Sequence, residues 1–244
     1  MEKKQIHFFG CSHTAGHELP DSYMFPWLNE CKSAKDYYKK FDELLRPPDF
    51  NLDEYKIECK KLAYPAILSN MDNRYNCINH ADFGSSLKGE LYKAINVIEK
   101  NETRIDLLVF QIPYFTRELI LTNDNKLENY LLGEIVNKQD NYLSRYAESK
   151  LVSHSPRHWN FHAHLELLIF EGYLKSKKIP SIFLEIDYFN DLYSENNLLE
   201  SNVDTCRLLD HIEYQRTIGY HFNYDTHVNI AKCVKNLVDA KLFP

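Results

Sequence analysis

Ser12 stands in FFGCSHTAGHEL (8–19), separated from an apolar pair by Gly10 and Cys11 and lying between glycines at 10 and 16. A serine hydroxyl attacks an acyl carbon only with help. A base must take its proton, a third group must hold that base, and N–H donors must face the oxygen that becomes negative. The chain offers a candidate for each part. His227 lies in NYDTHVN near the C-terminus, with Asp225 two residues before it, while Gly84 and Gln111 follow two short apolar runs. A Gly-x-Ser turn after a strand has a plainer use as a strand-to-helix connection that can hold an anion. Cys11, adjacent to Ser12, should point the opposite way into the sheet packing, as a core thiol rather than a nucleophile.

These residues can meet only if the intervening elements bring them to one rim. QIHFF (5–9), YNCINHA (75–81), DLLVFQI (106–112) and SIFLEI (181–186) read as strands, and the third is apolar enough to be buried on both faces. Between them, helical periodicity appears at 33–46, at 53–68 with a break near Pro65, at 87–98 and at 161–174. A further helix is expected around 127–148, after a polar turn at 122–126, and a last one from Val228. Strands alternating with helices predict an α/β three-layer sandwich with a mostly parallel central sheet. In such sheets, ligands bind outside the carboxyl ends of the strands, which is where Ser12, Gly84, Gln111 and the loop at 222–228 would arrive. One domain over 1–244 is expected, with a helical insert at about 113–158; the segment 187–222 has no strong periodicity.

Composition narrows the partners. The net charge is −6 with acidic and basic residues interspersed, so no basic stripe for nucleic acid is present. No run reaches a membrane-spanning length and no signal segment is recognisable, so a soluble cytoplasmic chain is expected. The six cysteines include no CxxC pair, which fits reduced thiols better than a zinc site or a disulfide framework. His158, His162 and His164 lie close together, but no carboxylate or cysteine completes a zinc pattern around them. No metal or organic cofactor is expected. His13, Tyr114 and Arg117 are candidates for substrate contact, Arg117 through an anionic or sugar group. Solvent exposure is the plainer expectation for His13 and for His17.

GCSHTAG resembles the first block of SGNH (GDSL-type) hydrolases. The chain YPAILSNMDNRYNCINHADFGSS (64–86) is similar to the second, DLLVFQIPYFTRE (106–118) to the third-block strand, and DTHVNIAKCV (225–234) to the closing Asp-and-His block. The resemblance implies a flavodoxin-like SGNH fold, Ser12 as nucleophile, His227 as base and Asp225 as its orienting carboxylate. It also implies an oxyanion hole from the Ser12 and Gly84 amides, with the Gln111 amide as the substitute donor, since the family's Gly-x-Asn-Asp is replaced by Gln111-Ile112-Pro113-Tyr114 and its Asn is absent. The expected activity is hydrolysis of an ester, such as an acyl group on a carbohydrate. The rival expectation is an SGNH-like scaffold that binds without turnover, in a viral or surface-polysaccharide setting, because Gly-x-Asn-Asp is absent. A nucleotide-binding protein is disfavoured, since both GxxxxGK[ST] and GxGxxG are missing.

Overall fold

Lys4–Phe9 forms strand β1, and side chains alternate along it: Ile6 and Phe8 enter one apolar cluster while Phe9 enters another on the opposite face. The structure, a computed structural model of the chain, describes residues 2–45, 50–100, 102–113, 117–121, 127–131, 142–153, 156–185, 205–219 and 221–244. After β1 come helices α1 (Ser12–Ala15), α2 (Asp21–Met24), α3 (Ala34–Leu44), α4 (Leu52–Leu62) and α5 (Tyr64–Met71), then strand β2 (Tyr75–Asn79). Helix α6 (Leu87–Lys100) leads to β3 (Leu107–Gln111), a hairpin β4 (Arg117–Leu121) and β5 (Leu127–Leu131), and helices α7 (Tyr142–Ser153) and α8 (Pro156–Ser176). Strands β6 (Ser181–Glu185) and β7 (Thr205–Arg207) precede the last helix, α9 (Tyr224–Leu242).

The main sheet has the order β2-β1-β3-β6-β7, with every pairing parallel. Leu107 and Val109 of β3 pack with α5 and α9 residues such as Leu68, Ile230 and Val234. Leu108 and Phe110 pack with Leu91 of α6 and Leu167, Phe170 and Leu174 of α8. The result is the expected α/β three-layer arrangement. Strand order reverses between β1 and β3, so the crevice at their carboxyl ends is the point where loops diverge and a ligand site forms. A third cluster, with Tyr37, Phe41, Tyr55 and Cys59 from α3 and α4, lies beneath the loop that follows α1.

Three expectations about elements change. Residues 127–131 are a strand that pairs antiparallel with 117–121, two short runs with strand-like alternation, and the described helix of this region covers Tyr142–Ser153. The insert is therefore not wholly helical. The stretch at 187–222 contributes β7, a fifth strand of the sheet. Helix α9 starts at Tyr224 rather than Val228, since the Asn223 side chain caps it by accepting from the Thr226 N–H. Pro65 does break the 53–68 helix: Ala63 is extended, and α5 restarts with the proline in its first turn, where no N–H is needed.

Candidate active site

The loop that carries Ser12 is held from below by two buried side chains. Gln111 Oε1 accepts from Cys11 N (3.1 Å), Cys11 Sγ (3.2 Å) and Thr14 Oγ1 (3.1 Å), and Glu90 accepts from Gly10 N (3.0 Å). A backbone N–H can only donate, so the Cys11 contact fixes which end of the Gln111 amide faces the loop. Its nitrogen donates to Ile112 O. Gln111 therefore presents its acceptor to the Ser12 loop, and the expected donation of its NH₂ to an oxyanion does not match this orientation. Cys11 is buried as expected, and burial pushes its thiol up, away from thiolate character.

Ser12 opens α1, a single turn closed by Gly16 in the left-handed region at φ 79°. Its Oγ lies 2.8 Å from Nε2 of His221, and His221 Nδ1 meets the Glu18 carboxylate. Thr217 Oγ1 and Gly219 N (3.1 Å) also donate to Glu18. This gives hydroxyl, imidazole and carboxylate in a line. The carboxylate comes from the same loop as Ser12, six positions later. Glu18 has φ 74°, an uncommon conformation for a side-chain-bearing residue and one that tertiary contacts must hold. Those contacts are present: Glu18 N donates to Tyr55 Oη at 3.3 Å, and Tyr55 and Tyr37 donate to the buried Asp21 at 2.7 and 2.6 Å. A Cβ on Gly219 would run into the Glu18 carboxylate, so any larger residue there must displace that side chain.

Electrostatics keep the imidazole neutral at rest. Burial first, then the positive fields of Arg117 and Arg216, push His221 down to about 3, while the Glu18 carboxylate acts in the opposite sense on the proton at Nδ1. Burial raises Glu18, and His17, Thr217 and the Gly219 N–H counter it. With Nδ1–H directed at Glu18, the Nε2 lone pair is free to accept the Ser12 proton.

His227 does not approach Ser12 in this way. It sits one turn inside α9, 0% exposed, and its Nδ1 accepts from Tyr64 N at 3.1 Å at the start of α5. Asp225 is exposed in the first turn of α9, and the nitrogen it was expected to hold is already occupied by Tyr64. The imidazole at Ser12 belongs to His221, and the carboxylate behind it to Glu18. His13 and His17, expected at the surface, are buried at 4% and 8% exposure. His13 packs on the rings of His221 and Phe222 at 5.1 and 4.6 Å, and His17 on those of Phe83 and His221 at 4.4 and 4.5 Å. Gly84, next to Phe83, has φ 68° with open space where a side chain would stand. Arg117 opens β4, close enough that its charge lowers His13, His17 and His221. Tyr114 lies outside the described residues.

Both missed residues carried a signal. Glu18 is within the glycine-rich stretch that contains Ser12. An asparagine cap at 223 starts the helix early, which draws His227 into the helix and leaves His221 in the rim loop.

No protein-family model matches the sequence, and no curated protein does. Solved structures do match it in shape. The chain superposes with TM-score 0.50 on a protein assigned to the lipolytic G-D-S-L family from Desulfitobacterium hafniense DCB-2, at 8% identity, covering 96% of this chain and 99% of that one. A carbohydrate acetylesterase family member from Sinorhizobium meliloti gives 0.50 at 10% identity, covering 98% and 99%. A carbohydrate esterase family 2 enzyme with a carbohydrate-binding domain, from Corynascus thermopiles, gives 0.52 at 11%, covering 98% and 67%. The likeness runs over nearly the whole chain and concerns the fold.

Proposed function

From the SGNH (GDSL-type) fold of this chain, we propose that it is a serine ester hydrolase acting through Ser12, His221 and Glu18. The observation that carries this reading is the 2.8 Å approach of Ser12 Oγ to His221 Nε2, with Glu18 on the opposite ring nitrogen. In the reaction, Ser12 Oγ attacks the ester carbonyl as its proton passes to His221 Nε2. Glu18 stabilises the imidazolium that forms. The Ser12 and Gly84 amides receive the oxyanion, without the side-chain amide that Gln111 was expected to add. His221 then gives its proton to the leaving alcohol, and a water activated by the same ring releases the acid. The carbohydrate esterases among the structures of like shape favour an acyl group on a sugar as substrate, with Arg117 facing a polar or anionic part of it.

A non-catalytic scaffold is the second reading, and the orientation of Gln111 is the observation in its favour. Labelling with a fluorophosphonate probe separates the two. The hydrolase reading expects a covalent adduct on Ser12 that disappears in Ser12→Ala, together with hydrolysis of p-nitrophenyl acetate. Absence of both from folded protein would favour the scaffold.

A further inference from the structure

One cluster at the site has more coordinating capacity than the serine relay uses. His17, Glu18 and His221 each offer a ligand atom, and these atoms lie within 4.8 Å of one another. Glu18 and His221 already meet; His17 brings its ring to 4.5 Å from that of His221. Among the described residues, His17 Nε2 is buried without a hydrogen-bond partner. A buried imidazole nitrogen without a partner is costly unless something fills its place. Two imidazoles and one carboxylate form the donor set that suits a zinc-class cation, whose fourth position can stay with water.

We propose that His17, Glu18 and His221 bind a divalent zinc-class cation and that its binding reversibly switches off Ser12. In the resting relay, the ring proton of His221 is on Nδ1 and the Nε2 lone pair faces Ser12 Oγ. A cation taken from the Glu18 side occupies the Nδ1 lone pair. The single proton of the neutral ring then resides on Nε2, by exchange through solvent. Nε2–H points at Ser12 Oγ as a donor and can no longer accept its proton, so the base is lost without any change in the nucleophile. Tetrahedral ligands at ~2.0–2.1 Å from zinc lie roughly 3.4 Å apart, so the Glu18–His221 hydrogen bond must open and His17 must close in. The short α1 loop that carries both His17 and Glu18 is the element that adjusts.

The inhibitory consequence rests on the hydrolase reading; the binding site does not, and the experiment separates them. Purified protein is titrated with Zn²⁺ by calorimetry and with Co²⁺ by visible absorption, and zinc is then added during fluorophosphonate labelling. The expected result is one cation per chain, intense d–d bands of low-coordinate cobalt, and slowed labelling of Ser12 that a chelator restores. His17→Phe retains an aromatic ring against Phe83 and is expected to weaken zinc binding at least ~10-fold while zinc-free labelling persists. Glu18→Gln, which keeps the shape of the side chain, should likewise weaken cobalt binding. Absence of stoichiometric binding, binding unchanged in His17→Phe, or labelling indifferent to bound zinc would each overturn the proposal. If zinc-free wild type does not label, the hydrolase reading fails and the cobalt titration alone decides the site.

Discussion

At the residue scale, Ser12 has one imidazole at hydrogen-bond distance, and the carboxylate behind that imidazole is Glu18. Replacing it with glutamine removes the charge that steadies the imidazolium and allows the wrong ring tautomer. Glu18→Gln is therefore expected to lower kcat by ~10²–10⁴-fold, measured on p-nitrophenyl acetate, whereas Asp225→Asn is expected to leave the rate near wild type. A large loss in Asp225→Asn would restore the assignment that the sequence suggested. The pH profile follows from the same environment. Because burial and two guanidiniums hold the His221 imidazolium below its ordinary value of about 6.5, the ring stays a competent base as pH falls. The acid limb of kcat/KM is expected below pH ~6.5, and a limb at or above that value would contradict the neutral resting state.

At the scale of elements, the site depends on two loops that dock by backbone contact. Gly219 donates its N–H to Glu18 and leaves no room for a side chain beside that carboxylate. Gly219→Ala is expected to displace Glu18 and reduce turnover strongly while α1 through α9 remain folded, readable as lost rate with unchanged far-UV circular dichroism. Gln111 acts on the other side. Removing its oxygen leaves the Cys11 N–H buried without an acceptor, so Gln111→Ala should cost about 1–3 kcal/mol in denaturant unfolding, beyond any effect on rate. These dependencies also explain which parts of the molecule were legible in its sequence. The strands at 5–9, 106–112 and 181–186 announce themselves through continuous apolar runs, and Ser12 through the small-residue turn after the first. The sequence points to His227 as the partner of Ser12 because two histidines lie six residues apart at the start of a helix, and the choice between them depends on where that helix begins. Asn223 sets that start. Glu18 is hidden in the sequence because its contact with His221 arises from an unusual backbone conformation and from Gly219, some two hundred residues away.

At the scale of the whole molecule, the concentration of buried neutral histidines has a cost that pH reveals. Burial pushes His17 and His227 down to about 3, against about 6.5 in an unfolded chain. The sign follows from proton linkage: the unfolded state takes up the protons first, so the stability each ring retains above pH ~6.5 is lost progressively as pH falls toward the folded value. Between pH 6.5 and 5 the loss is about 1.6 kcal/mol for each of these rings. Urea unfolding at the two pH values checks this, and His227→Gln, which removes one such group, should shallow the dependence. A pH dependence in His227→Gln as steep as that of the wild type would mean that this ring is not held neutral. The same substitution bears on the architecture, since His227 ties the first turn of α9 to the start of α5 across the sheet's helical layer.

The most direct test of the account compares two histidines by the rate at which a fluorophosphonate labels Ser12 at neutral pH. The account predicts that His221→Ala slows labelling by orders of magnitude, and that His227→Ala, although less stable, labels at close to the wild-type rate while folded. The reverse pattern, with labelling abolished in folded His227→Ala and retained in His221→Ala, would contradict it.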